Sequence, residues 1–417
     1  MRWVLRSRRS GRLLPISAAL ACVAAASSLL AAGFPGAGVS KTRSPSSGSR
    51  SRLVLAVANS YDGTVDLIDA RTFRRLGRPL NVIPDGATPR DPQQAALYPL
   101  ILARQGEVNY AQEVAFSPDG KTLYVSRGYL GDVAAFSVAT HRLLWRLEVP
   151  GLRADHLALS RDGRRLFVSA LPGTKVYAIN THTHRYSGSY EAGTFPHVLE
   201  FSPDGHFIYS GSLGNQLAPY GQDHGIHQIT VANANTLKVV RTYRFAAGVR
   251  PFAFASANRL VVQLSYFSGF EVLNLATGQT RTVKLPLLGP GKTLAPQNYP
   301  NAAADHGIAV SGNTVCAAGT ISNYVATVSL RGRVERIVPV GQAPAEALTS
   351  SNREFCLVTS RGPTGMHVPH VTNGDDVSVI SYRTGKLVRR IRVGRHPQAE
   401  TLAVIPDATL RAGGFLK

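Results

Sequence analysis

AFSPDGKTLYVSRGYLGDVAAFSVATHRLLWRLEVPG, from Ala115 to Gly151, decides the fold. It reads as an apolar strand, an Asp-Gly turn, a second strand, a polar loop, then a third and a fourth strand. The same paragraph returns as LALSRDGRRLFVSALPGTKVYAINTHTHRYSGSYEAG (Leu157–Gly193) and begins again at VLEFSPDG (Val198–Gly205). A period of about 40 residues with four short strands per unit is the pattern of a propeller blade. Asp119-Gly120, Asp162-Gly163 and Asp204-Gly205 supply residues that tolerate positive φ, as tight hairpin turns require. Val114-Ala115-Phe116, Leu157-Ala158-Leu159 and Leu199-Glu200-Phe201 read as innermost strands. Leu123-Tyr124-Val125, Leu166-Phe167-Val168 and Ile208-Tyr209-Ser210 suit strands covered on both faces. One four-stranded sheet cannot bury both faces, so the units must stack into a ring.

In chain order there are seven units. The first, from Leu53, lacks its own inner strand. Insertions follow in four places: Val82–Asn109, Leu213–His224, Leu287–Pro300 and Arg361–Asn373. After the seventh unit, HPQAETLAVIPDA (His396–Ala408) reads as an inner strand with no outer strands behind it. Pairing it with Leu53–Ala58 closes the ring and removes the open edge. The expected fold is an all-β, seven-bladed β-propeller over residues 53–410, with a short tail at 411–417.

The chain of 417 residues is long enough for one large β domain, and its 17% charged residues with many Gly and Pro fit short strands and turns. Its formal charge is +21. Residues 1–52 hold nine Lys/Arg and no acid, leaving +12 on the ring. A basic ring could meet an anionic polymer or surface, although a solvated Arg-rich surface explains it as well. No aromatic interleaving of the basic residues supports nucleic-acid binding.

Residues 1–34 carry five Arg before an apolar, alanine-rich run, the order of an export signal or of an N-terminal membrane anchor. Residues 35–52 read as a flexible basic linker. Aligning NTVCAAG with REFCLVT places Cys316 and Cys356 at one position of adjacent blades. Equivalent positions point the same way round the ring, so the two are expected to be buried, unpaired small hydrophobes.

LAVANSYDGTVDLIDART (Leu55–Thr72), LYVSRGYLGDVAAFSVAT (Leu123–Thr140) and the stretch Asp375–Val404 resemble the YVTN-repeat family of exported propellers. That family is similar to lactonase-type and amine-dehydrogenase heavy-chain propellers. The resemblance implies periplasmic or cell-surface placement and a binding role. It brings no cofactor, because the quinone of the amine-dehydrogenase group sits on a separate small chain. The matching residues are turn and core residues, which speak for fold rather than chemistry.

Loops leading into the inner strands converge on one mouth of a propeller channel. Glu113, Asp155, His156, His197, Arg250, Asp305, His306, Glu346, His396 and Glu400 fall in that register, and Glu113, His156, His197, Arg250, His306, Glu346 and Glu400 are the expected ligand-binding set. Glutamates and histidines about one axis could hold a divalent metal or polarise a small substrate. Against this, such repeats often write Pro-His or Pro-x-Glu merely to start a strand, and two registers are present. The insertions add Tyr220, Asp223, His224 and His227 in the fourth blade and His367-x-x-His370, a spacing that can ligate zinc, in the seventh, the histidines reading first as solvated loop residues. The Val82–Asn109 excursion would add Arg90, Asp91 and Gln94 at the same mouth. Four insertions over one face suggest a binding face. No Gly-x-Ser-x-Gly elbow, phosphate-binding Gly-Lys loop or Cys-x-x-Cys-His motif is present. Two functions remain. One is an exported cell-envelope scaffold, a monomeric ring that binds a small molecule, glycan or envelope protein at the channel mouth. The other is a metal-assisted hydrolase or lyase of lactonase type acting there.

Overall fold

The computed structural model of the chain describes residues 50–97, 99, 108–362 and 374–417. The expected export segment at 1–34 and the insertion histidines His367 and His370 lie outside them. Seven four-stranded antiparallel sheets form seven blades, as the repeat predicts. The inner strands are Glu113–Phe116, Arg153–Leu159, Pro196–Phe201, Val249–Ser256, Ile308–Ser311 and Pro344–Thr349 in blades 2 to 7. Blade 1 takes its inner strand from the far end of the chain: Pro397–Pro406 pairs antiparallel with Ser51–Asn59. The first strand thus starts at Ser51, inside the segment expected as linker. Beyond the closing strand a short helix, Asp407–Ala412, follows, and Phe415 is buried against blade 2. Arg52 locks the seam, with its Nε 2.8 Å from Asp407 and its Nη1 2.9 Å from Asp69.

The inner turns are built alike in blades 2, 3 and 4. The Ser117 hydroxyl donates to Asp119 Oδ1 at 2.6 Å and accepts from the Thr122 N–H, while Gly120 takes φ +69°. Ser160, Asp162 and Gly163 repeat this, as do Ser202, Asp204 and Gly205. Each side chain substitutes for the backbone partners that the turn cannot supply.

Second strands are buried on both faces. Leu123 and Val125 pack with Val54, Ala56 and Leu67 of blade 1, while Tyr124 between them packs with Leu166 and Val168 of blade 3. The same alternation explains a departure from expectation. Cys316 and Cys356 are joined in a disulfide, their Cα atoms 6.5 Å apart. Cys316 is the third residue of Thr314–Gly319, whereas Cys356 is the second of Phe355–Ser360. Blade 6 turns through Gly312-Asn313 alone, but blade 7 uses Ser350–Glu354, and the longer turn slips the register by one residue. A slip of one residue moves a side chain to the other face of a strand. Cys316 therefore faces blade 7 and Cys356 faces blade 6, within one shared apolar cluster.

All four insertions leave the same end of the ring, from second-to-third strand connections or from links between blades. The first is held by Arg127, fully buried, which bonds Asp132 and Asp85 at 2.6 Å each and the Val82 carbonyl at 3.1 Å.

The disulfide closes a loop of 40 residues. Chain entropy for such a loop makes it worth about 3–4 kcal/mol. Guanidinium unfolding of Cys316→Ala is expected to show a loss of that size, reproduced in the parent protein by reduction. A loss within error of zero in both would mean that the bridge stabilises nothing.

Candidate functional site at the channel mouth

The inner strands surround a central channel of about 590 Å³ whose wall includes Glu113, His156, Glu200, Glu346 and Glu400. Towards the Asp-Gly turns the lining becomes apolar, with Phe116, Leu159, Phe201 and Leu348. A groove of about 700 Å³ on the outer rim, between Arg259, Arg281 and Arg331, consists mostly of exposed residues and gathers no buried polar groups. The channel is the candidate site.

Backbone geometry aims the strands. Phe195, Ala343 and His396 each precede a proline and hold φ of +53°, +51° and +53°. A residue before proline favours extended backbone, so these are strained points at which each inner strand is turned sharply into the ring.

Three histidines meet at the insertion end. His156 Nδ1 lies 2.8 Å from Glu113 Oε2, and His197 Nδ1 lies 2.5 Å from Asp155 Oδ2. His306 Nδ1 lies 2.6 Å from the Ala345 carbonyl oxygen, which can only accept, so that nitrogen carries the proton. The His156 and His197 rings stand perpendicular with centres 4.2 Å apart, and the His197 and His306 centres are 5.8 Å apart. All three are buried, as is Asp155. Burial, reinforced by His156 and Arg250, lowers the His197 pKa to about 3. Burial and then Arg361 hold that of His306 well below its ordinary value. Both rings are neutral at pH 7. Burial alone would raise the pKa of Asp155, but the neighbouring His197 and Arg153 outweigh it and keep Asp155 ionised.

Two arginines flank this group. Arg250, 2% exposed, donates from Nε to Ser265 Oγ and from Nη2 to Gln216 Oε1, each at 3.0 Å, and to the Asn301 carbonyl. Gln216 lies in the Leu213–His224 insertion and Asn301 directly follows the Leu287–Pro300 insertion, so Arg250 ties these two segments to its own inner strand. Arg361, 7% exposed, has no hydrogen-bond partner for Nε, and no carboxylate among the described residues pairs with either guanidinium. Burial pushes both arginine pKa values down to about 10. His396, beside them, stacks on Tyr61 with ring centres 3.9 Å apart.

Deeper in the channel lie the carboxyl groups. Burial first, then the Glu113 charge, raises the Glu346 pKa to about 7. Burial and Glu346 raise that of Glu400 well above the ordinary range, and neither of its oxygens has a hydrogen-bond partner. Glu200 projects into the channel space itself; its place deep within the ring, then Glu346 and Glu113, raise its pKa too.

Of the sequence candidates, Glu113, His156, Glu346 and Glu400 line the channel, while His197 packs against His156, His306 against His197, and Arg250 lies near His197. Other sequence candidates hold structure. Asp305 accepts from the Gly269 N–H at 2.6 Å, His224 bridges the Asn215 and Pro219 carbonyls, and Asp223 accepts from the Gly225 N–H. Asp91 caps the short helix Pro92–Ala96, and Gln94 donates to the Tyr129 carbonyl. Glu200 and Arg361 were missed. A charge inside the apolar triplet Leu199-Glu200-Phe201 was the available signal for the first; Arg361 carried none beyond opening an insertion.

No protein-family model matches the chain, and no curated protein matches it in sequence. Among solved structures it is similar to a chain of hydrazine synthase from Kuenenia stuttgartiensis. The two are 15% identical with a TM-score of 0.58, over 79% of this chain and 92% of that one. At that identity the likeness is one of fold.

Stability should follow the carboxyl layer. The folded pKa of Glu346, about 7, lies above its ordinary 4.5, so the folded state holds the extra proton between them. Stability is then greatest below about pH 4.5 and falls as pH rises through the folded value. Thermal melts from pH 5 to 8 are expected to show this decline, and Glu346→Gln to flatten it and melt several degrees higher at pH 8. An unchanged slope in the variant would remove Glu346 as its source.

Proposed function

We propose that the chain is an exported, cell-envelope propeller of the YVTN-repeat type that binds a small anionic molecule in the mouth of its central channel. The observation that carries this reading is the pair of buried guanidinium groups, Arg250 and Arg361, with no carboxylate partner among the described residues. A buried cation without an ion-pair partner is costly, and a planar guanidinium fits carboxylate and phosphate groups. His306, neutral between them, adds a group that can hydrogen-bond the same ligand. Arg250, tied to Gln216 and to the Asn301 carbonyl, is shielded from water that would otherwise screen the attraction.

Export is supported by the Cys316–Cys356 disulfide, since such bonds persist in oxidising compartments. Thiol alkylation of the protein taken from its native cells without reductant should leave both cysteines unmodified; free thiols there would contradict export.

Binding is tested by titrating the full-length protein with citrate and with inorganic phosphate in a calorimeter, chelator present. A charge-assisted hydrogen bond is worth about 1.5–3 kcal/mol, so Arg361→Gln is expected to weaken the better anion about 10- to 100-fold. Absence of binding by the parent protein, or equal binding by Arg361→Gln, would defeat the reading.

A further inference from the structure

We propose that Asp155, His156 and His197 form a binding site for a divalent transition-metal ion at the channel mouth. One donor atom from each lies within 4.8 Å of the other two, and all three side chains are buried. Metal–ligand distances of about 2.1 Å set ligand atoms some 3.4 Å apart around a tetrahedral ion, so shifts of about 1 Å complete the shell.

Two further features separate this group from an ordinary buried hydrogen-bond network. His197 Nε2 is buried with no hydrogen-bond partner, while Asp155 Oδ1 makes no hydrogen bond and is ion-paired with the Arg153 guanidinium at 3.2 Å. A network that served stability alone would satisfy the His197 nitrogen. Moreover, the His156 imidazole is already oriented from its Nδ1 side by a carboxylate outside the ligand set, Glu113, at 2.8 Å. Carboxylates placed behind histidines in this way orient metal ligands and raise their basicity. His156 Nε2 meets only the Gln112 amide nitrogen, at a long 3.4 Å.

The donor set selects the ion. Two imidazoles and one carboxylate suit zinc, copper, nickel or cobalt rather than calcium or magnesium, which take oxygen ligands. Asp155 and Glu113 supply the negative charge that offsets the nearby Arg153 and Arg250. Three protein ligands leave coordination positions open. The inference does not rest on the anion-binding reading: its ligands are different residues, and its probe is the metal alone.

The test is titration of full-length, chelator-stripped protein with Co²⁺, followed by visible absorption, then displacement by Zn²⁺. One Co²⁺ per chain is expected, with d–d bands that Zn²⁺ abolishes. Binding should weaken at least 100-fold in His197→Ala and stay unchanged in His206→Ala, an exposed histidine at the opposite end of the ring. Should His197→Ala fail to fold, Asp155→Asn, equal in size, is expected to weaken binding and shift the bands. Sub-stoichiometric binding by the parent protein, or affinity and spectrum retained in His197→Ala or Asp155→Asn, would overturn the site. Phosphate titration with chelator present reads Arg361 alone, so either proposal can fail without the other.

Discussion

The pairing of Pro397–Pro406 with Ser51–Asn59 is the constraint on which the rest depends. Each blade buries its two faces against neighbours, so an unclosed ring would leave two apolar sheet faces and an unpaired strand edge in water. Closure also completes the channel, because Glu400 lies on the closing strand. Burial and the Glu346 charge shift this carboxyl group, whose oxygens have no hydrogen-bond partner, towards its neutral form, which lessens the cost of burying it. The strand that seals the fold thus carries one of its least comfortable residues. Arg52, reaching both Asp69 and Asp407, fixes the seam on the outside.

Along the channel, the guanidinium and imidazole groups gather at the insertion end around the Asp155 carboxylate, and the glutamate side chains of Glu200, Glu346 and Glu400 line the channel beyond them. Glu113 joins the two groups through His156. Elsewhere burial shifts pKa values towards neutral forms: Glu346 and Glu400 upward, His197 and His306 downward. Arg250 and Arg361 have no such route, since a guanidinium stays charged near pH 7 even with its pKa lowered to about 10. Among the described residues they are buried charges without a carboxylate partner.

The blade count, the closing strand and the four insertions could be read from sequence because turn chemistry and strand period are local and repeated. Ser-Pro-Asp-Gly writes the same turn wherever it stands. The disulfide could not be read, because it turned on a single residue of register set by the unequal turns Gly312-Asn313 and Ser350–Glu354. Site residues were legible only to the level of the register: His156, His197, His306 and Glu346 could be placed at one mouth. Which of them touch was hidden, since the contacts join strands 40 or more residues apart. Asp305 and His306 show the limit well. Neighbours in sequence, they divide their roles, Asp305 bonding the Gly269 backbone and His306 lining up beside His197.

The mouth gains its rigidity from the same side chains that give it polarity. Arg127 ties the first insertion to blade 2 through Asp85 and Asp132, and Arg250 ties the second insertion, at Gln216, to Asn301 just past the third. Loops held only by surface contacts would sample many conformations and lose binding energy on ordering. Here the ordering cost is met during folding by buried, charge-assisted hydrogen bonds. Arg250 therefore serves twice, as a clamp on the loops and as a cation facing the site, and its substitution would disturb both. Arg361, with no hydrogen-bond partner for Nε, makes no such clamp among the described residues. That difference makes Arg361 the cleaner reporter of what the channel binds.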